Sequence, residues 1–269
     1  MPAESNAIRV AVVGDNTIDR YLGGGDDADI DYVGGNAVNV AVQLSRRRTG
    51  VAYFGAVGAD ADGAIIEEAL RRASLDVTGL VRLAGLSAVT RIRRTGTGDR
   101  VFESEEFGVT ADYRPDAEAV MTISTARWVH LGMLPGAADL VRMMKARDPS
   151  LPISQDCSVS TGFRGLAVAF DSAGENETRA MELARTSTAG GAALAVVTMG
   201  ARGAIAFDGT TWWQQDACPA RVVDTTGAGD SFTAGFIDAR LDGATVPEAL
   251  AAGAEWAART CEHLAGFPQ

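Results

Sequence analysis

Six short apolar runs recur along the chain, at 8–13, 51–57, 127–131, 152–155, 167–171 and 194–199. Between and after them lie stretches whose apolar residues fall at helical spacing, at 36–48, 64–74, 137–147, 175–190, 230–241 and 246–264. Continuously apolar strands need cover on both faces, and helices alternating with them supply it. The pattern restricts the chain to an α/β fold with a mostly parallel central sheet. Two polar regions rich in Gly, Asp and Thr interrupt the alternation, at about 21–33 and 87–107, and read as short antiparallel strands. Gly96-Thr97-Gly98-Asp99 marks a hairpin turn in the second. No Pro- or Ser-rich linker divides the 269 residues, and no internal repeat or low-complexity tract is found. The expectation is one α/β domain over 1–269, with a small β flap inserted.

Composition narrows the chemistry. A net charge of −11 argues against nucleic-acid and membrane partners. Lys145 is the only lysine among 24 basic residues, and no glycine loop precedes it, so a P-loop is excluded and Schiff-base chemistry is disfavoured. Two histidines, His130 and His263, are too few for a three-histidine metal site. Cys157, Cys218 and Cys261 are odd in number and far apart, which suits reduced thiols. With no basic and apolar leader before residue 8 and no run of ~18 apolar residues, neither signal peptide nor membrane span is expected. A cytoplasmic protein is expected.

The strongest chemical signal runs Val222-Val223-Asp224-Thr225-Thr226-Gly227-Ala228-Gly229-Asp230-Ser231-Phe232, read as a short strand, a turn of small residues and a helix. Small residues let backbone N–H groups converge, and a helix start adds free N–H groups and a positive dipole end. This makes an anion site without lysine. A carboxylate at its mouth, Asp230, would repel a phosphate unless the reaction needs a base there. Beside a transferable phosphoryl group, Asp230 can accept a hydroxyl proton while the amides of residues 227–229 steady the equatorial oxygens. An N-capping Asp is the structural alternative.

The run resembles the second signature of the ribokinase/phosphofructokinase-B family of carbohydrate kinases, Asp-Thr-x-Gly-Ala-Gly-Asp. Further family elements follow in order, in Gly34-Gly35-Asn36-Ala37-Val38-Asn39-Val40-Ala41, Gly55-Ala56-Val57-Gly58-Ala59-Asp60-Ala61-Asp62-Gly63 and Val197-Thr198-Met199-Gly200-Ala201-Arg202-Gly203. The resemblance spans nearly the whole chain. It implies a ribokinase-like, Rossmann-type three-layer sandwich with a small β lid, ATP as donor and Mg2+. It also implies nucleotide contacts at Thr198, Gly200, Gly203, Gly227 and Gly229, and a K+ or other monovalent cation near Asp224 and Thr226. The acidic residue supporting magnesium falls on Glu177, with Glu175 as the alternative. A small-residue helix at 246–264 is expected to wall the adenine, and the lids of two chains can join in a homodimer.

At the acceptor end, Asp15 follows the first strand, where open parallel sheets place their ligands, and a carboxylate there can grip two adjacent hydroxyls. Gly34 and Gly35 permit close approach, and Asn36 and Asn39 share a helix face. An Asx turn at Asp15 and helix capping at Asn36 are the structural alternatives. A narrower resemblance, to the fructoselysine 6-kinase branch, rests on Gly14-Asp15-Asn16-x-x-Asp19, the 34–42 stretch, Asp99-Arg100-Val101-Phe102 and Gly108-Val109-x-Ala111-Asp112. It implies transfer to the 6-hydroxyl of a fructosamine, with Arg91, Arg93 and Arg100 as candidates for the amino-acid carboxylate. Another sugar kinase, a nucleoside kinase and a non-catalytic sugar- or nucleotide-binding regulator stay open. A dinucleotide oxidoreductase is disfavoured, since no Gly-x-Gly-x-x-Gly follows the first strand. Trp212-Trp213 is expected on an edge hairpin, Trp128 and Trp256 in or near the core, and Arg46-Arg47-Arg48 in solvent.

Overall fold

A computed structural model describes residues 8–22, 29–48, 50–94 and 100–269. In chain order the elements are β1 (Val10–Val13), β2 (Thr17–Leu22), β3 (Ile30–Gly34), α1 (Asn36–Ser45), β4 (Val51–Gly58), α2 (Ala61–Arg72) and β5 (Asp76–Leu83). There follow β6 (Val89–Arg94), β7 (Arg100–Glu106), α3 (Ala117–Ile123), β8 (Trp128–Leu131), α4 (Ala137–Arg147), β9 (Ile153–Asp156) and β10 (Val168–Ser172). The last are α5 (Glu177–Ala189), β11 (Ala195–Thr198), β12 (Ala204–Phe207), β13 (Trp212–Gln215), α6 (Ala228–Leu241) and α7 (Val246–Thr260).

Nine strands form the main sheet in the order β13-β12-β11-β10-β9-β8-β1-β4-β5. It is parallel from β11 to β5, and β12 and β13 add an antiparallel edge. Every side chain of β1 is buried, as the unbroken apolar run requires. Val10 and Val12 pack under α1, α6 and α7, alongside Val38, Phe236 and Leu250. Ala11 and Val13 face the opposite layer, with Ile123, Leu140 and Met144 of α3 and α4. Ala180 and Ala184 of α5 cover β11 and β12 on that second side. The three-layer sandwich is therefore as expected. Each fully buried Leu, Ile or Val contributes about 1.5–3 kcal/mol, so the two-sided core dominates the stability.

The second sheet, β3-β2-β6-β7, forms the flap. It is not purely antiparallel as expected, because β2 and β6 pair in parallel at its centre. It also begins earlier, at Thr17, directly after β1. The hairpin turn at 96–99 lies outside the described residues, as do 23–28 of the first flap segment. Both flap halves are clamped at the base. Asp15 accepts the amides of Asn36, Ala37 and Met133, while Asp60 accepts the amide and hydroxyl of Ser87 and caps α2 through Gly63.

Several expected boundaries shift. Helix α1 stops at Ser45, and the arginines after it are not simply solvated: Arg48 pairs with Asp238 of α6 and with Asp242 just after it, and Arg47 lies over the Trp256 ring. Val222 and Val223 form no strand; the Val223 and Asp224 amides turn back to the Cys261 carbonyl. Trp212 and Trp213 do sit on the edge strand β13, with Trp212 stacked on Phe207 at 4.1 Å. Trp128 is buried and donates its indole N–H to Ser154. Among the described residues no helix is long and apolar enough to cross a membrane.

Candidate active site

A cleft of about 790 Å³ opens between the flap and the carboxyl-terminal ends of the central strands. Asp15, Gly35, Asn36 and Asn39 line one wall, and Gly227 and Asp230 the other. The acceptor-end acid and the helix-head acid, nearly the whole chain apart in sequence, thus share one cavity. Open parallel sheets place their ligand sites at this end.

The turn before α6 is shaped by Gly227, the residue that caps the helix in the left-handed region at φ 70. A Cβ there would sit 2.5 Å from the Gly266 Cα, so backbone conformation and space both demand glycine. The Ala228 amide donates to the Thr225 carbonyl at 3.2 Å. The amides of Gly229 and Asp230 have no hydrogen-bond partner among the described residues and head the helix toward the cleft. Gly229 is exposed, with open space where a side chain would stand.

Asp230 lies in the first turn of α6 and is half-buried. Burial raises its carboxyl pKa well above the usual range. The Asn39 amide, donating from Nδ2 to Oδ2 at 2.8 Å, opposes that rise, and the charges of Asp156, Asp15 and Asp19 add to it. A carboxylate raised toward neutrality is suited to accept a proton from a hydroxyl. Asn39 is positioned by α1, one turn from the helix start, where Asn36 presents its amide to Asp15.

Asp15 occupies the wall as expected, with both oxygens engaged by backbone amides: Oδ2 by Asn36 at 2.6 Å, and Oδ1 by Ala37 and Met133 at 3.1 and 3.0 Å. Burial nonetheless raises its pKa. Gly35 caps α1 at φ 109. Gly34 does not line the cleft; its missing side chain leaves room for Asp19, whose Oδ2 would lie 2.3 Å from a Cβ there. Asp19 lines the cleft from β2, as do Thr90 of β6 and Glu105 of β7. Sequence reading quoted Asp19 only as a motif residue and gave none of the three a role. The signal for Asp19 was the period-two alternation of Thr17, Asp19 and Tyr21, obscured because the strand was placed too late.

Thr198, Gly200 and Gly203 lie elsewhere, at the end of β11 and in the turn after it, outside this cleft. From β1 to β11 is four strand spacings of ~4.8 Å, roughly 19 Å along the same sheet edge. Glu177 opens α5 at the surface and pairs with Arg202, and Glu175 is exposed beside Gly200. Among the described residues no cluster of three metal-binding side chains exists. Asp156 and Asp171, near the ends of adjacent β9 and β10, are raised by burial, and the Asp156 charge adds to the rise at Asp171, an effect that a divalent cation opposes. Magnesium bound to phosphate needs only one or two carboxylates, so the donor set fits it without an all-protein cage.

Asp224 accepts the Thr226 amide at 2.6 Å and the Ala265 amide at 3.0 Å, tying the turn to the C-terminal segment. The Thr226 hydroxyl lies 3.3 Å from the Tyr21 hydroxyl, linking turn and flap. Arg91 pairs with Glu106 and Arg93 with Glu103, and neither arginine lines the cleft; the Arg100 side chain lies outside the described residues. His130, fully buried against Ser154 and Phe170, has its pKa pushed down by burial to about 3 and is a neutral core residue.

The sequence matches the pfkB family carbohydrate kinase profile over residues 30–146 and 160–266. It is 32% identical over 265 residues to fructoselysine 6-kinase of Escherichia coli, covering 94% of this chain and 97% of that one. It is 30% identical over 278 residues to fructosamine kinase FrlD of Bacillus subtilis, covering 97% and 93%. The fold superposes on Arabidopsis thaliana ribokinase, solved with ribose and ATP, with a TM-score of 0.86 and 20% identity over 98% of this chain and 96% of that one. With a cleft that joins a raised carboxylate to a glycine-turned helix head, and with family motifs matched along most of its length, this chain belongs to the pfkB family of carbohydrate kinases and is an ATP-dependent phosphotransferase.

Proposed function

We propose that the cleft transfers the γ-phosphoryl group of ATP to a hydroxyl of a fructosamine, fructoselysine first among them, at its 6-hydroxyl. The observation that carries the reading is Asp230, a raised carboxylate held by Asn39 at the head of α6 and facing an acidic acceptor wall. The names of relatives aligned over nearly the whole chain support the fructosamine class.

In this mechanism Asp230 accepts the proton of the attacking hydroxyl. The amides of Gly229 and Asp230, aligned with the positive end of the α6 dipole, steady the charge on the transferring group. Asn39 keeps the carboxylate aimed and partly ionised. Asp19 and Asp15, both lining the cleft, hold the acceptor's hydroxyls, and Asp15 is fixed in place by the three backbone amides it accepts. Gly200, Gly203 and Thr198 border the nucleotide at the far end of the sheet edge. Magnesium, when bound with ATP, neutralises phosphate charge, and Asp156, Asp171 and Glu177 are the carboxylates to hold it through water. Three free thiols, Cys157, Cys218 and Cys261, support a reducing, cytoplasmic setting.

A nucleoside acceptor calls for aromatic faces around the base, and Phe107 is the only aromatic residue lining the cleft among the described residues. The test is ADP formation by the purified protein with fructoselysine, other fructose–amino acid adducts, fructose, ribose and adenosine. Fructosamines are expected to give the highest kcat/KM. Asp230→Asn is expected to lower kcat by about 10²–10⁴ with ATP affinity nearly unchanged. Near-normal turnover by that variant would remove the base from the mechanism, and silence toward the whole panel would favour a non-catalytic binding role.

A further inference from the structure

The charge of the cleft wall carries one step more. Six carboxylates line the cleft and, among the described residues, no lysine, arginine or histidine does. Most of these acids are already engaged. Asp15 and Asp224 accept backbone amides, Asp230 accepts the Asn39 amide, and Glu106 pairs with Arg91. Glu105 has no ion-pair partner among the described residues.

The register of the flap places Glu105 in a defined row. Asp19 of β2 stands opposite Thr90 of β6, and Thr90 stands opposite Glu105 of β7, so the three share one face of the sheet, and all three line the cleft. Two strand spacings put Glu105 about 10 Å from Asp19, beyond the hydroxyl-holding end. Two buried oxygens on the cleft wall, Asn16 Oδ1 and Thr110 Oγ1, have no hydrogen-bond partner, and their residues are 1% and 2% exposed. The Asn16 amide nitrogen is fixed by Tyr53 and Ala56, which leaves its oxygen as an unused acceptor. Carboxylates and orphaned acceptors together call for a ligand rich in N–H and O–H groups and bearing positive charge. They repel an acceptor carrying a carboxylate or phosphate near this wall.

We propose that Glu105 sets acceptor specificity by pairing with the protonated amine of an amino-substituted ketose, so that the enzyme selects cationic sugars over neutral ones of the same shape. The proposal rests on the fructosamine-kinase reading and adds the residue and the charge that enforce it. It differs from the expectation for Arg91 and Arg93, which pair with Glu106 and Glu103 and do not line the cleft; the Arg100 side chain lies outside the described residues.

The test compares 1-deoxy-1-alkylamino-fructose with its neutral counterpart, 1-O-alkyl-fructose, by calorimetric binding without nucleotide and by ADP formation with ATP. Wild type is expected to favour the amine about two- to fivefold in Kd and kcat/KM, the range of an ion pair at an exposed carboxylate. Glu105→Gln is expected to bring that ratio near one through KM, with an unchanged unfolding midpoint, whereas Glu103→Gln keeps it. The wild-type ratio should also fall as pH rises through the amine's own pKa. Equal kcat/KM for the two sugars in wild type, or an undiminished ratio in Glu105→Gln, overturns the proposal while leaving the kinase intact. Selective binding of the amine without ADP formation refutes the fructosamine-kinase reading and leaves the charge selection standing.

Discussion

Replacing Asn39 with leucine tests whether the Asp230 carboxylate is tuned as the geometry requires. The Asn39 amide donates to Asp230 Oδ2 at 2.8 Å, and its own oxygen has no partner, so a leucine of similar shape removes one donor without stranding another group. A hydrogen bond to a charged group is worth roughly 1.5–3 kcal/mol, and one pKa unit corresponds to about 1.36 kcal/mol. The lost bond should therefore favour the protonated form of Asp230 and raise its pKa further, toward the low end of that energy range because the side chain is only half-buried and solvent in the cleft screens it. The sign is fixed by the role of the group. A base works ionised, so activity is lost as pH falls through its pKa, and a higher pKa moves the acid limb of kcat/KM to higher pH. The assay is coupled ADP release with a saturating nucleotide, followed from acidic to mildly alkaline pH, with Asp230→Asn as the variant that should lack the limb. A limb in Asn39→Leu that stays in place or moves to lower pH would refute the coupling, and with it the assignment of Asp230 as proton acceptor.

Two further outcomes concern the frame around the site. His130 is held near a pKa of about 3 by burial, against 6.5 in an unfolded chain. The unfolded state therefore takes the proton first, and stability is lost as pH falls from 6.5 toward 3, at up to about 1.4 kcal/mol per unit. His130→Leu should remove that dependence, seen as a smaller drop in the urea midpoint between about pH 7 and about pH 5 than in wild type. Gly227→Ala forces a Cβ against Gly266 in a left-handed turn and should destabilise the fold by about 1–2 kcal/mol or more. It should also lower kcat by disturbing the helix head, checked by thermal unfolding and turnover together.

The parts of this molecule that were legible in sequence are those where one local pattern has one physical solution. The apolar run around Val10–Val13 could only be a strand covered on both sides, and the Gly227–Asp230 turn could only open a helix with bare amides. What escaped depended on partners distant in the chain. β5 has exposed residues along much of its length because it is the outermost strand, so its pattern lacks the apolar continuity of its neighbours. Arg48 looked like a solvated helix end until α6 brought Asp238 and Asp242 beside it. Val222 and Val223 had strand-forming side chains but no sheet edge to join. Asp15 lines the cleft, yet the share of its oxygens taken by α1 could not be read from one position. Asp19 was quoted in a motif but given no role, because β2 starts at Thr17, earlier than the flap was expected to begin.

The two clamps at the base of the flap carry an engineering consequence. β2 leaves the body and β3 returns to it beside Asp15, and the β6–β7 half begins at the Asp60–Ser87 clasp. Neither anchor contributes the proton-accepting group, which sits on a helix reached from the other end of the chain. On the proposed function, the flap carries Asp19 and Glu105 of the acceptor wall, while Asp15, Asn39 and Asp230 stay in the body. A flap taken from a relative with another taste in sugars can be spliced between these anchors as a cassette, leaving the reaction machinery as it stands.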